Sequence, residues 1–131
     1  MSVCVVDSSA VMAIAFDEPI AATVLLRLSG YQRRVVGTPT VVESCLVHAS
    51  RRPTASEGAI SNLITLLNIE TVDFTITMQQ HAWQAWLRYG KGRHPASLNY
   101  GDCMSYGVAA ALNAPLLFVG NDFSQTEIDA A

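Results

Sequence analysis

Asp7, Glu43, Asp102 and Asp122 are the side chains of this sequence with the strongest claim on chemistry. Asp7 stops the apolar run Val3-Cys4-Val5-Val6 and is followed by Ser8-Ser9. Asp122 closes a second run, Leu116-Leu117-Phe118-Val119, through Gly120-Asn121. Asp102 falls in the first turn of a predicted helix, and Glu43 borders an apolar helical stripe, a poor place for an acid that only solubilises. Each has a plain structural alternative. Asp7 and Asp102 suit helix starts, where Asp caps well and the dipole favours acids; Glu43 suits a solvated face and Asp122 a turn.

Brought together, these carboxylates would repel one another. A pair at ~4 Å costs on the order of 4 kcal/mol at an effective dielectric of ~20, against a whole-domain stability of about 5–15 kcal/mol. They are therefore apart, or held by cations, or partly protonated. Oxygen donors without thiolate or imidazole suit a hard ion, Mg²⁺ or Mn²⁺. An acid-lined ion with no built-in nucleophile suits attack of activated water on a phosphodiester. His48, His81 and His94 show no zinc spacing,. GxxxxGK[ST] and GxGxxG motifs are absent, which sets nucleoside triphosphates and dinucleotides aside,.

The elements that must position these acids alternate. Residues 3–6 and 116–119 predict strands buried on both faces, residues 33–37 a further strand and 69–74 another. Helices are predicted over 8–16 and from Asp17-Glu18-Pro19 to Gly30, the latter with Ile20, Val24, Leu25 and Leu28 inward. Behind Thr38-Pro39 a helix runs to Arg51 with Val42, Cys45, Leu46 and Ala49 on its apolar face. Thr54-Ala55-Ser56-Glu57 fits a capping box for a helix carrying Ile60, Leu63, Ile64 and Leu67. Thr75 caps another, with Ile76, Trp83, Trp86 and Leu87 inward and Gly90 at its end. Asn99 caps a helix over 100–112, and 123–128 form a helical turn or an edge strand. Right-handed crossovers then build a parallel sheet with helices on both faces. Asp7 and Asp122 project from its carboxyl edge, where open α/β sheets hold their ligand crevice. Asp73, near the end of the third strand, is the nearest rival.

At 131 residues, with 50% hydrophobic and 15% charged side chains, the chain reads as one α/β domain, residues 1–131, and excludes disorder,. No stretch approaches the ~20 apolar residues of a membrane span, and the N-terminus lacks a signal-peptide pattern. The three cysteines, Cys4, Cys45 and Cys103, have no CxxC spacing and predict thiols in a reducing cytoplasm,. A net charge of −3 argues at first sight against nucleic acid,. That weakens once several acids are assigned to a cation.

The ordered set Asp7-Ser8-Ser9, Pro39 with Glu43, Leu98-Asn99-Tyr100-Gly101-Asp102-Cys103 and Leu116-Leu117-Phe118-Val119-Gly120-Asn121-Asp122-Phe123 resembles the PIN domain. It is similar in particular to the VapC-type toxins of bacterial toxin–antitoxin pairs. The resemblance covers essentially the whole chain, and residues 98–123 are its most specific part. It implies a three-layer α/β/α sandwich around a central, mostly parallel sheet of four to five strands. It also implies a cytoplasmic, Mg²⁺- or Mn²⁺-dependent endoribonuclease that cuts RNA and is inhibited by a cognate antitoxin. A homodimer, or a higher hetero-oligomer with the antitoxin, is the expected assembly.

Carried over by position, Asp7, Glu43, Asp102 and Asp122 match the catalytic acids, with Asp7, Asp102 and Asp122 as metal ligands. Ser9, Asn121 and Thr126 are supporting candidates, and Glu127 stands where the family commonly has Asp. Lys91 and Arg93, in a basic loop without apolar anchors, are candidates to hold RNA phosphates. Trp83 and Trp86 read as core. Val11, Ile14, Ile20, Val24 and Leu25 offer apolar surface to an antitoxin and a second copy. Two other readings are a PIN-like module that binds RNA or protein without cleavage and a Mg²⁺-dependent phosphoesterase with another substrate.

Overall fold

Val3–Val6 forms β1, and this strand is flanked on both sides in the computed structural model, which describes residues 2–131. The chain continues through α1 (Ser8–Ala15), α2 (Ala21–Ser29), β2 (Arg33–Gly37), α3 (Thr38–Arg51) and α4 (Ala59–Leu66). It ends with β3 (Glu70–Val72), α5 (Ile76–Tyr89), α6 (Tyr100–Leu112) and β4 (Leu116–Leu117). The sheet order is β3-β2-β1-β4, and every pairing is parallel. Beyond β4, Ala130 makes one parallel bridge to Leu116, so the tail returns as turns and a single pairing rather than as a further strand.

The pleat separates two cores, because successive side chains of a strand point to opposite faces. Val5, Val35 and Leu116 pack with Met78, Ala82, Ala85 and Tyr89 of α5 and with Cys103, Tyr106 and Val108 of α6. Cys4, Val6, Val36 and Leu117 pack on the other face with Ala10, Val11, Met12, Val24, Leu28, Ile60 and Ile64 from α1, α2 and α4. This is the expected α/β/α sandwich with a four-stranded parallel sheet. No helix among the described residues is long and apolar enough to cross a membrane.

Several helices are rotated relative to the sequence expectation. On α3 the buried residues are Thr40 and Ser44, while Val42 is 58% and Leu46 65% exposed. The reason is that α3 leans on α6 at the carboxyl edge, where small polar side chains meet the site rather than a hydrophobic core. On α5 the inward face is Met78, Ala82, Ala85 and Tyr89; Ile76 and Trp83 are exposed and Trp86 is half-buried. Small residues win that face because α6 approaches closely. A Cβ on Gly107 would lie 2.5 Å from the Met78 carbonyl oxygen and 3.0 Å from the Ala82 Cβ. Ile20 and Leu25 likewise lie at the rim of α2, whose buried residues are Ala21, Val24 and Leu28. Residues 54–57 form turns instead of a capping box, and α4 starts after Gly58 without a side-chain cap. The caps expected at Thr75 and Asn99 are both formed.

Candidate active site

Asp7 follows β1 directly and is 3% exposed. Its Oδ2 accepts from the Ser9 backbone N–H at 3.1 Å and from the Ser9 hydroxyl at 2.6 Å, so the acid does cap α1. Its Oδ1 accepts from the Ser105 hydroxyl of α6 at 2.5 Å. Ser105 in turn lies 3.3 Å from the Thr40 hydroxyl of α3. The Ser9 oxygen also accepts from the Val119 N–H at 3.0 Å, which ties Asp7 to the segment leading from β4 to Asp122. Ser9 and Ser105 thus hold this carboxylate directly, and through them α3 and the segment after β4 are tied to it.

Asp102 is the third residue of α6 and is 8% exposed. Its Oδ2 accepts from the Asn99 N–H at 3.0 Å, and the Asn99 side chain accepts from the Asp102 N–H at 2.8 Å. Burial pushes the Asp102 carboxyl up to about 7. The Asn99 N–H opposes that rise, and the negative charges of Asp122, Asp7 and Glu43 add to it. Glu43, half-buried on α3, is also raised: burial leads, a hydrogen bond with Ser8 opposes it, and Asp7 adds to it. The four acids named from the sequence therefore share one electrostatic field. Asp122 stands at its exposed rim, behind the turn at Gly120-Asn121.

The donor set is oxygen throughout, and the Glu43 Oε1 is a buried atom with no hydrogen-bond partner. An orphaned carboxylate oxygen beside two other buried acids fits a hard cation. Among the described residues no three acid, His or Cys side chains are close enough to enclose an ion. Such an open arrangement suits Mg²⁺, which keeps several waters and takes one or two carboxylates plus substrate phosphates. The buried thiols of Cys4 and Cys103 are pushed up to about 11 by burial, so neither is poised as a nucleophile or soft ligand,.

The supporting candidates divide. Ser9 is in the site, joined to Asp7. Asn121 is exposed and its carbonyl accepts from Ser124, shaping a turn. The Thr126 hydroxyl donates to the Phe123 carbonyl at 2.8 Å and accepts from the Ile128 N–H, so it is engaged in the tail's own turn. Glu127 swings out to Arg88 of α5 at 2.8 Å. Asp73 is exposed after β3, which lies at the far edge of the sheet. The basic loop does have aromatic anchors: the Arg93 guanidinium lies 5.0 Å over the Trp86 ring, and His94 meets the Tyr89 ring edge-on at 5.1 Å. Lys91 is exposed.

Ser105 and Thr40 carry no expectation from the sequence, and Ser8 and Gly101 stand there only as members of the motifs. A signal for two of them exists: Thr40 with Ser44 at i, i+4 and Asp102 with Ser105 at i, i+3 put small polar residues on one helical face.

A parallel α/β/α sheet with buried acids at its carboxyl edge and an orphaned carboxylate oxygen defines an acid-centred α/β protein. The comparisons with known proteins make that class specific. The family model for the PIN domain matches residues 4–129. Ribonuclease VapC36 of Mycobacterium tuberculosis is 40% identical over 126 residues, covering 95% of this chain and 91% of the relative. Ribonuclease VapC of Mycolicibacterium smegmatis is 35% identical over 126 residues, covering 96% and 98%. Among solved structures, the sarcin–ricin loop cleaving toxin VapC20 of M. tuberculosis superposes with a TM-score of 0.74 at 14% identity, covering 98% of each chain. VapBC2 of Rickettsia felis, bound to a DNA fragment of its promoter, superposes with 0.73 at 11% identity, covering 98% and 96%. The chain belongs to the PIN-domain family.

Proposed function

We propose that this chain is an endoribonuclease, the toxin of a toxin–antitoxin pair, which hydrolyses RNA phosphodiester bonds at the Asp7–Glu43–Asp102–Asp122 site with Mg²⁺ or Mn²⁺. The observation that carries this reading is Asp102, a buried acid whose carboxyl is raised to about 7 by burial and by three neighbouring acids. Perturbed groups of this kind, in mutual repulsion, concentrate at functional sites.

Asp7, Asp102 and Asp122 are the proposed metal ligands, one or two of them holding the ion directly and the rest through its waters. Bound there, a hard divalent cation supplies Lewis acidity toward the phosphodiester and makes water a better nucleophile. The chain's own groups do the rest. Ser9 and Ser105 each donate to one oxygen of Asp7 and so fix the plane of its carboxylate. The Asn99 N–H holds one oxygen of Asp102 and leaves the other free. Glu43, raised above an ordinary glutamate, is suited to accept a proton at Oε1 from the attacking water,. Asp122 and Lys91 are both exposed, and Lys91 is the proposed contact for RNA phosphates, which would position RNA without reading its sequence.

In the same reading the chain acts as one domain in the cytoplasm, as a homodimer restrained by a cognate antitoxin. Val11 and Val24 are core residues, which removes them from the apolar surface expected for partners. Exposed Ile20, Leu25 and Leu26 remain available on α2, the surface assigned here to the antitoxin. A second apolar surface lies on α3, where Pro39, Val42 and Leu46 repeat at i, i+3 and i+7. It continues into a cavity of about 550 Å³ lined by Pro39, Phe74, Trp83, Trp86 and Tyr100. This surface is assigned to the second copy.

The test is cleavage of an RNA panel by purified protein. Cutting is expected with Mg²⁺ or Mn²⁺, abolished by EDTA and restored by excess metal. Losing an ion's partner outside direct coordination typically costs about 10–100-fold, so Asp7→Ala and Asp102→Ala should each exceed that. Cleavage that persists in EDTA, or in either variant, overturns the proposal.

A further inference from the structure

We propose that Gly101 is a positioning residue: its missing side chain is the space that the Glu43 carboxylate occupies, and this sets the reach of Glu43 into the site. The inference rests on the active-site reading above. Gly101 is the second residue of α6, immediately before Asp102. Glycine is a poor helix former, so its presence inside a helix calls for a reason. Backbone conformation is not that reason, because among the described residues the glycines with positive φ are Gly92 and Gly120.

Space is the reason. A Cβ built on Gly101 would overlap the Glu43 Oε2 and stand 2.6 Å from its Cδ and 2.8 Å from its Oε1. All the nearest atoms belong to one carboxylate. Its Oε1 is buried without a partner, and the Ser8 side chain at the start of α1 is near enough to favour its ionised form. Glu43 thus lies between two helix starts, against the backbone that presents Asp102. A methyl group at Gly101 would displace the tip of a flexible side chain, not backbone. The helix should survive the substitution while Glu43 leaves the site.

Three full-chain variants test this: Gly101→Ala, Glu43→Ala and the double variant. Carboxyl-labelled glutamate NMR on metal-free protein reports where Glu43 sits, and Mn²⁺ titration calorimetry without RNA reports the site. In Gly101→Ala the melting temperature should hold or rise, the Glu43 resonance should move toward that of a solvated glutamate, and Mn²⁺ affinity should fall about 10-fold or more. The double variant should bind Mn²⁺ no more weakly than Glu43→Ala, because the glycine acts through that side chain. If Gly101→Ala folds poorly, removal of the carboxylate in the double variant should restore folding, which is the same overlap read as stability.

An unmoved Glu43 resonance in Gly101→Ala overturns the proposal. So do additive losses of Mn²⁺ affinity, or a double variant that stays as unstable as Gly101→Ala. The underlying reading fails differently: Asp7→Ala and Asp102→Ala would then bind Mn²⁺ and cut RNA as the unmodified chain does, while the Glu43 resonance would still decide the part played by Gly101.

Discussion

Asp102 ties stability to pH in a direction opposite to that of a salt-bridged acid. Its carboxyl rises on folding from an ordinary 3.8 to about 7. The folded state therefore keeps a proton that the unfolded chain has already released. The resulting stabilisation is complete below the unfolded pKa and is lost as pH rises through the folded one. Metal-free protein should accordingly melt at lower temperature at pH 8 than at pH 5. Asp102→Asn should flatten that slope and melt higher at pH 8 while losing cleavage. A divalent cation favours the ionised carboxylate, so Mn²⁺ should raise the melting temperature more at pH 8 than at pH 5. Differential scanning fluorimetry across this range checks all three. Ser105, 1% exposed and donating to Asp7, offers a second test at this scale. Ser105→Ala should lower RNA cleavage by about 10–100-fold, as loss of an orienting partner does, with a smaller effect on melting.

Between elements, the decisive contact is that of α5 with α6, since α6 carries both Asp102 and Ser105. Their approach depends on Gly107 against Met78 and Ala82. Gly107→Val places a branched side chain where even a Cβ is too close to backbone. Overpacking of this kind costs about 1–3 kcal/mol, which urea denaturation would read as a lower midpoint. The same contact explains why Trp83 stands outside the core and Trp86 packs only against its edge. Trp83 and Trp86 follow helical spacing and are the largest apolar residues of α5, yet a closely packed face admits Ala82 and Ala85 instead. The two rings stack on each other, 5.8 Å apart, and Trp83 remains 57% exposed.

For the whole molecule, apolar side chains that neither core needs mark where other chains would sit. Val42 and Leu46 are exposed on α3, and Pro39 at the start of the same helix lines the cavity rimmed by Trp83 and Tyr100. In the homodimer proposed above, a charge at the centre of this surface should separate the copies. Leu46→Glu should shift the solution mass, by light scattering, from dimer to monomer and leave the melting curve of the monomer nearly unchanged. A dimer that persists in Leu46→Glu assigns the contact elsewhere.

The sequence by itself determined the α/β alternation, the buried middle strand, the caps at Thr75 and Asn99 and the identity of the acids that share one field. Each of these is written in nearest-neighbour pattern: a Val run ended by Asp, a Leu run ended by Gly-Asn-Asp, an Asn three residues before an Asp. Only the tertiary structure decided which face of α3 and α5 is buried, because hydrophobic periodicity records what a helix could bury and not how near its neighbour comes. It alone placed Thr126 in the tail's own turn and Glu127 on Arg88 of α5, and brought Ser105 to Asp7 across 98 residues. It alone gave Gly101 a meaning, since empty space beside a helix start is invisible until Glu43 is seen to fill it.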